Sequence, residues 1–369
     1  MSKEKDQRFD KFTDQYNYWI DNVLDRFEEK RLFIYLPSCG LGDKITCFPA
    51  FRHLKSLNKD KKIILITEPL AIDIWKLCRY IDIVIPEDSI RGPEAVMIKE
   101  EFDTGKICNW SFFEHHQNHV IKSCVIHICG PESIDDLDNI DLTYQFSIYE
   151  EDLAGIKQFQ DELLYKAKGR KLVAIAPANT MLSRMWPANY WAKLTEQLQK
   201  NNFYVVALGG KNDLEIKKVD FDARNKYPIR IIPRILDVFE YLVQINSGML
   251  HIGSVNQDIK MVHLNTGQYP EHIMLPFRKN NNIYHNRIVI NHSCPDKYEC
   301  FYGHLTEQQI RKQSNDYSNE FKIETGQDLP IEQQMLLQKF TCWYYCLREK
   351  DKYMCNKQIT PERVIEQMI

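Results

Sequence analysis

Short runs of hydrophobic residues recur along this chain and alternate with longer segments whose hydrophobic residues are spaced as on one face of a helix. The short runs are typical of buried strands, and the longer segments are typical of helices that pack on a sheet. The predicted strands are residues 32–36, 62–67, 81–85, 95–99, 125–129, 172–176, 203–208, 229–232 and 263–266. The predicted helices are residues 10–30, 71–80, 110–123, 150–169, 186–201 and 236–245, with further helices that begin at Ile45 and within 213–219.

Two successive series of strands and helices predict an α/β protein in which two Rossmann-like domains face each other across a cleft. The pattern predicts an N-terminal helix at 1–30, a first Rossmann-like domain at 31–160, a second at 161–355 and a C-terminal helix at 356–369. That last helix is expected to start with a threonine cap followed by a proline, Thr360-Pro361. A polar stretch at 306–338 is interpreted as an insertion on the second domain.

Composition and charge exclude several classes of protein. The net charge of -3 argues against binding to a nucleic-acid backbone, because such proteins are normally basic. No run of about 18 hydrophobic residues is present, so no membrane span is predicted. The first residues are charged and lack the apolar core of a secretion signal, which predicts a cytoplasmic location. In that compartment the 11 cysteines are expected to be thiols or metal ligands rather than disulfides.

A glycine turn with an acid follows the first predicted strand. Gly40-Leu41-Gly42 leads into Asp43, and helical spacing begins at Ile45. Ligands of doubly wound sheets bind beyond the carboxyl ends of the strands, so Asp43 is expected on that rim. A carboxylate there can act as a general base toward an incoming hydroxyl. The alternative is that Asp43 only caps the helix.

Histidines and cysteines near these elements have weaker functional interpretations. His115 and His119 share a helix face and could bind a metal, and these two histidines and His116 are candidates for contacting an acceptor. The alternative is a polar face that lines a cleft or packs on the sheet. Cys39 and Cys47 flank Asp43, and they are interpreted as small apolar residues that line the loop.

Five cysteines near the C-terminus form two short clusters that suit a tetrahedral zinc or iron site. They exceed the four ligands that such a site needs, and the spare one is expected to be Cys342 or Cys346. The alternative is a set of unliganded buried thiols. The five candidates are Cys294, Cys300, Cys342, Cys346 and Cys355.

Four motifs fall in an order that resembles glycosyltransferase family nine, the ADP-heptose heptosyltransferases, over roughly residues 32–290. The resemblance implies a GT-B fold and an inverting transfer that needs no metal. The motifs are Gly40-Leu41-Gly42-Asp43 with Phe48-Pro49-Ala50, Ala176-Pro177-Ala178 with Arg184-Met185-Trp186-Pro187 and Trp191-Ala192, Val205-Val206-Ala207-Leu208-Gly209-Gly210, and Asn246-Ser247-Gly248-Met249-Leu250-His251.

The resemblance also implies roles for single residues. Asp43 matches the general base, and Arg184 stands where the family usually has a lysine that holds the donor phosphates. An arginine keeps the charge and can grip a phosphate with two hydrogen bonds. Asn246 departs from the pattern, because the family typically has an aspartate that contacts the donor region. The predicted donor-binding residues are Gly42, Thr180, Arg184, Gly209, Gly210, Asn246, Ser247, Gly248 and His251.

The cysteine tail is similar to that of the autotransporter heptosyltransferases, the branch of this family that glycosylates adhesin proteins. That resemblance implies a structural iron or zinc on the cysteines and assembly into a homo-oligomer. The gap between Cys300 and Cys342 is longer than in that branch, so which of the cysteines are ligands stays open.

The sequence therefore predicts a glycosyltransferase whose first domain binds the acceptor and whose second domain binds the donor. The expected donor is ADP-heptose or a related nucleotide-diphosphate sugar, and the acceptor is a hydroxyl on a protein or glycan. One alternative is an inactive nucleotide-sugar-binding or structural assembly subunit, which the departure at Asn246 favours. Another is a different GT-B-like enzyme of nucleotide sugars, such as an epimerase.

Overall fold

The structure is a computed structural model of the chain. It describes residues 31–36, 40–89, 119–177, 184–211, 213–266, 271–292 and 354–369, together with residues 318, 319, 322, 323, 326 and 328. The chain divides into two compact units, Met1–Ser147 and Ile148–Ile369. The division precedes the helix Glu150–Ala167, whereas the boundary expected from the sequence falls inside that helix.

Strands and helices alternate through both units. The strands are β1 (Arg31–Leu36), β2 (Lys62–Thr67), β3 (Ile83–Pro86), β4 (Lys171–Ala176), β5 (Phe203–Ala207), β6 (Phe221–Asp222), β7 (Tyr241–Ile245), β8 (Lys260–Leu264) and β9 (Arg287–Ile290). The α-helices are α1 (Leu41–Thr46), α2 (Phe48–Leu57), α3 (Ile72–Trp75), α4 (Val120–Cys129), α5 (Glu150–Ala167), α6 (Ala188–Lys200), α7 (Ile232–Ile235), α8 (Gly248–Gly253), α9 (Glu271–Met274), α10 (Met354–Lys357) and α11 (Pro361–Met368).

The first unit contains a parallel sheet in the order β1-β2-β3. Tyr35 pairs with Ile66 and Leu36 with Thr67, so β1 and β2 end at the same edge. Trp75 is fully buried and donates to the Thr67 hydroxyl at 3.1 Å. Helices α2 and α4 pack on each other. Lys44 of α1 forms an ion pair at 2.7 Å with Glu68, the residue that follows β2, so α1 and its Asp43 lie at the carboxyl edge of this sheet.

The second unit contains a six-stranded parallel sheet in the order β6-β5-β4-β7-β8-β9. Counted within the unit, this is the order 3-2-1-4-5-6 of a doubly wound sheet. The direction of winding reverses between β4 and β7, which pair from Val173–Tyr241 to Ala176–Gln244. Ligands of such sheets bind beyond the carboxyl ends of the strands at this switch point.

The core of the second unit includes the C-terminal helix. Val364 and Met368 of α11 are buried in the same cluster as Trp186, Trp191 and the central strands. The Trp186 indole donates to the carbonyl oxygen of Ile359 at 2.7 Å. Thr360 caps α11 by accepting from the Arg363 amide, with Pro361 as the first helical residue, as predicted from the sequence.

Four predicted elements are wrong. Residues 125–129 belong to α4 and not to a strand. The prediction was wrong because a short hydrophobic run has the same pattern in a buried helix and in a buried strand. Residues 229–231 form a 3-10 turn and Ile232 begins α7, since the following Pro233 cannot donate a hydrogen bond to a sheet. The segment 236–245 is a 3-10 turn followed by β7. Residues 213–219 form turns, and Lys218 has φ of 72°, which a helix does not accept.

Several predictions lie outside the described residues. These are the helix at 10–30, the strand at 95–99, the first part of the helix at 110–123, and nearly all of the insertion at 306–338. Among the helices that the structure describes, none has both the length and the hydrophobicity needed to cross a bilayer.

Candidate active site

Asp43 lies in the first turn of α1, just beyond the carboxyl end of β1. Its Oδ2 accepts a hydrogen bond from the Gly40 amide at 3.1 Å. A Cβ atom on Gly40 would lie 2.8 Å from that oxygen, so the close approach of loop and carboxylate requires glycine. The Thr46 hydroxyl donates to the Asp43 carbonyl at 2.6 Å and so stabilises the first turn of α1. Asp43 therefore caps the helix, and the same bond fixes where its carboxylate stands.

Cys47 lies buried under this loop, as the sequence predicts. It is a free cysteine with no exposed surface, and its sulfur lies 3.8 Å from that of Cys124. Its thiol also donates to the Asp43 carbonyl at 3.5 Å. Cys47 therefore packs against the turn of Asp43. Cys39 lies outside the described residues.

His119 takes a structural position at the start of α4. Its Nδ1 accepts from the Ile121 amide at 3.1 Å, and the side chain is buried. This is a helix cap. His115 and His116, the other two histidines of the predicted cluster, lie outside the described residues, as does Thr180. In the described part of the chain no group of three or more His, Cys, Asp or Glu side chains could hold a metal.

The start of α8 forms the centre of the second unit's site. Ser247 is its N-cap, and the Ser247 hydroxyl accepts from the Met249 amide at 3.3 Å. This confirms the predicted helix start at Ser247-Gly248. Because β7 borders the switch point, the first amides of α8 lie at the edge where a doubly wound sheet binds its ligand. His251 lies one turn on and is buried.

Asn246 directly precedes this helix and is buried. Its Nδ2 donates to the Thr266 carbonyl at 2.6 Å and to Asn265 Oδ1 at 3.1 Å. The hydrogen bonds hold the residue that follows β7 against the residues that follow β8. The uncharged amide satisfies two acceptors here, which an ionised aspartate could not do.

Gly209 and Gly210 follow β5 at the same edge of the sheet. Gly209 has φ of 154°, and a Cβ atom there would overlap the Asp213 carboxylate. The Gly210 amide donates to that carboxylate. Burial raises the pKa of Asp213, while the Gly210 amide and Arg224 act in the opposite direction. The sequence-based site residues omit Asp213; its spacing after the two glycines is the feature that could have identified it.

Arg224 stabilises the turn at Gly209-Gly210 through its contacts with two aspartates. Its guanidinium donates to the Asp213 carbonyl and forms a two-pronged ion pair with Asp222, at 2.9 and 2.7 Å. The hydrogen bond from Arg224 lowers the pKa of Asp222. The carboxylates of Asp213 and Asp222 therefore stabilise the turn at Gly209-Gly210.

Arg184 follows β4 and is half-buried. Next to it, Trp186 is fully buried, and the Met185 carbonyl accepts from Asn356 Nδ2 at 2.9 Å. These contacts tie the end of the Arg184 segment to the C-terminal part of the chain. The structure therefore anchors the residues next to Arg184, just before α6, to the C-terminal residues of the chain.

A buried histidine lies on β8, next to the strand that leads into α8. His263 of β8 pairs with Gln244 of β7, with 2.9 Å between Nδ1 and the amide nitrogen. Burial lowers the pKa of His263 to about 3, and the charges of Arg287 and His251 act in the same direction. The imidazole is therefore neutral at physiological pH. The sequence does not predict this pair, because its meaning depends on the register of two strands.

Cys355 is the one predicted metal ligand within the described residues. It is a buried free cysteine in α10, and its sulfur lies 3.7 Å from Asn356 Oδ1. Cys294, Cys300, Cys342 and Cys346 lie outside the described residues. Asn356, the residue after Cys355, donates to the Met185 carbonyl, so Cys355 lies in the part of the chain that contacts the segment of Arg184.

The sheet order and the position of the site define the class of the protein, an α/β protein with the GT-B fold. Residues 119–284, a little under half of the chain, match the model of glycosyltransferase family 9 (heptosyltransferase). The match includes α8 and the turn at Gly209-Gly210. Together, the fold and this match class the chain as a glycosyltransferase.

Solved structures of heptosyltransferases share this fold. The ADP-heptose lps heptosyltransferase II of E. coli is 13% identical with a TM-score of 0.52, over 77% of this chain and 97% of that chain. The family 9 glycosyl transferase of Veillonella parvula is 14% identical with a TM-score of 0.55, over 92% and 96%.

TibC of enterotoxigenic E. coli is also similar. This dodecameric iron-containing heptosyltransferase, in complex with ADP-D-beta-D-heptose, is 14% identical with a TM-score of 0.53, over 92% of this chain and 75% of that chain. Among curated proteins no match is found.

Proposed function

We propose that the protein transfers a sugar, with inversion, from a nucleotide-diphosphate donor such as ADP-heptose to a hydroxyl of a protein or glycan. The observation that carries this proposal is the start of α8 at Asn246–Gly248, at the switch point of a doubly wound sheet. The match to family 9 covers this segment. The ADP-heptose complex of a protein with the same fold supports the choice of donor.

The second unit provides the donor site in this proposal. In this donor site the turn at Gly209-Gly210 and the backbone amides at Ser247-Gly248 face the diphosphate, Arg184 adds a cation, and Thr180 is a further donor-binding residue. Fixed amides and a guanidinium stabilise the charge that develops on a departing diphosphate, and this requires no metal. His251 completes the donor set from the next turn of α8.

The first unit provides the base. Asp43 takes the proton of the acceptor hydroxyl while the hydroxyl oxygen attacks the anomeric carbon. The bond between that carbon and the diphosphate breaks, and the nucleoside diphosphate leaves with both electrons. A positioned base of this kind contributes about 10²- to 10⁴-fold to the rate. Gly42, next to Asp43, keeps the turn small enough for a ligand to approach.

We also propose that the C-terminal cysteines hold a structural iron or zinc, with four of Cys294, Cys300, Cys342, Cys346 and Cys355 as ligands. Cys355 supports this proposal, because it is buried and cysteine is the usual ligand of structural zinc and iron sites. The iron and the dodecamer of TibC support a metal and a homo-oligomer here. The metal takes no part in the transfer.

A single set of measurements tests the proposal. Purified protein is incubated with ADP-heptose, with and without candidate acceptors, and release of ADP is followed while the same sample undergoes elemental analysis. We expect ADP release that depends on the acceptor, and about one iron or zinc per chain. Donor conversion without an acceptor would favour an epimerase or hydrolase. Donor binding without any turnover would favour the inactive subunit.

A further inference from the structure

A buried lysine directly follows the proposed base in α1. Lys44 is 5% exposed, and its ammonium forms an ion pair at 2.7 Å with the carboxylate of Glu68, which is also mostly buried. Lysine is almost never fully buried without a partner, because the ammonium loses its hydration. Hydrophobic residues often replace such a pair without loss of stability. The presence of the ion pair therefore favours a role beyond packing.

Glu68 has a well-defined position at the end of β2. It follows Thr67, a fully buried residue whose hydroxyl accepts from the Trp75 indole at 3.1 Å. The Glu68 carbonyl accepts from the Ala71 amide at 3.0 Å, in the short 3-10 turn that comes after the strand. These bonds fix the backbone on both sides of Glu68, so its carboxylate can anchor a cation from another element.

Helix α1 depends on contacts with other elements for its orientation. It has six residues, and a helix this short is not stable without tertiary packing. At its C-terminal end the Thr46 hydroxyl contacts the Cys124 thiol of α4 at 3.6 Å. In its first turn the Lys44 amide donates to the Gly40 carbonyl at 3.2 Å, and the Gly40 amide donates to Asp43. The Lys44 side chain therefore joins the turn that holds Asp43 to the end of β2.

We propose that Lys44 and Glu68 are positioning residues for Asp43. Their ion pair holds the first turn of α1 against the end of β2, so that the Asp43 carboxylate keeps the orientation in which it takes the proton of the acceptor hydroxyl. Both residues act through Asp43, and neither contacts the substrate. Misplacing a reacting group by about 1 Å can lower a rate by about 10²-fold. This inference rests on the proposed function.

Removing the buried cation tests the inference. Lys44→Met keeps most of the side-chain volume without the charge, whereas Lys44→Arg keeps a cation that can pair with Glu68. The matched control is Lys55→Met. Lys55 forms a partly buried ion pair with Asp82 at 2.8 Å in the same unit. Asp82 directly precedes β3, so this second ion pair lies at the amino edge of the sheet, opposite to Asp43.

The measurements are kcat for release of ADP from ADP-heptose, with the acceptor that supports turnover of the wild type, and the calorimetric affinity for ADP-heptose. We expect Lys44→Met to lower kcat by about tenfold or more, because the base is misplaced. Its affinity for the donor should stay within about twofold of the wild type, since the donor binds to the second unit. Lys44→Arg should keep kcat within about threefold, and Lys55→Met should match the wild type.

A double variant separates positioning of Asp43 from a general structural effect. Once Asp43 is replaced by asparagine, there is no base left for Lys44 to position. Asp43→Asn/Lys44→Met should therefore have the residual kcat of Asp43→Asn, within about twofold. An equal fold loss from Lys44→Met in both backgrounds would overturn the inference. A wild-type kcat in Lys44→Met, or a Lys44→Arg as slow as Lys44→Met, would overturn it as well.

The outcomes distinguish this inference from the proposed function. If the wild type releases no ADP with any acceptor, or if Asp43→Asn keeps full activity, the proposed function or its base fails and the inference fails with it. If Asp43→Asn is slow and Lys44→Met is not, only the inference is overturned. Should Lys44→Met not fold, because it takes the cation away from the Glu68 carboxylate, Lys44→Met/Glu68→Gln removes both charges and gives the same test.

Discussion

Asp43 combines two roles that the sequence could not separate. As a helix cap it accepts from Gly40 at 3.1 Å, and a carboxylate or an amide oxygen can do this equally well. As a proposed base it must take up a proton, which an amide cannot do at neutral pH. Replacing the carboxylate by an amide therefore keeps the first role and removes the second.

We predict that Asp43→Asn lowers kcat for sugar transfer by about 10²- to 10⁴-fold, because the base is lost while the cap remains. In the proposed function the donor binds to the second unit, so calorimetry should show its affinity within about twofold of the wild type. Thermal melting should also match the wild type.

The control is Asp43→Ala, which loses both roles and should in addition lower the free energy of unfolding by about 1 kcal/mol. Full activity in Asp43→Asn would show that the residue is only a cap and would remove the proposed base.

At the level of secondary structure, the sequence predicts an element well where one pattern dominates. The strand at 62–67 and the long helix Glu150–Ala167 follow from a compact hydrophobic run and from a long helical spacing. The errors at 125–129 and 236–245 come from short hydrophobic segments, in which helix and strand look alike. In the second case the neighbours decide, because β7 pairs with both β4 and β8.

The start of helix α11 is predicted from its N-cap, Thr360, and the helix packs on the core of the second unit. The Thr360 hydroxyl accepts from the Arg363 amide at 3.3 Å, while Tyr241 donates to the Met368 carbonyl at 2.7 Å at the other end of the helix. Trp186 holds the Ile359 carbonyl just before the helix and Tyr241 holds the Met368 carbonyl near its end, so both ends of the helix are tied to the core of the second unit.

We predict that Thr360→Ala lowers the free energy of unfolding by about 1 kcal/mol, because one amide of the first turn loses its partner. Denaturant unfolding followed by circular dichroism measures this change. Thr360→Ser keeps a hydroxyl and should stay within about 0.5 kcal/mol of the wild type. Equal stability of the alanine and serine variants would show that the cap contributes nothing.

For the protein as a whole, the buried imidazole of His263 couples stability to pH. Its pKa is about 3 in the folded protein, and an unfolded chain has a histidine pKa of about 6.5. The unfolded state therefore binds the proton first as the pH falls. Stability is unaffected above about pH 6.5 and declines between about pH 6.5 and 3.

We predict that the wild type loses about 1.4 kcal/mol of unfolding free energy for each pH unit below about 6 through this residue. Denaturant unfolding at a series of pH values from about 7 down to about 4 measures the slope. His263→Gln removes the titrating group and should have a slope shallower by that amount, whatever its stability at neutral pH. Parallel slopes for the two proteins would contradict a buried neutral His263.

Local sequence is sufficient to specify the strand β2, the long helix α5, the glycine turn with Asp43, the helix start at Ser247-Gly248 and the cap of α11. These depend on neighbours within a few residues, where backbone preferences and hydrophobic spacing act directly. The strand order, the pairing of Gln244 with His263 and the hydrogen bonds of Asn246 with Asn265 and Thr266 became visible in the folded chain alone. Those features join residues far apart in the chain, and the register that aligns them exists only once the strands have paired.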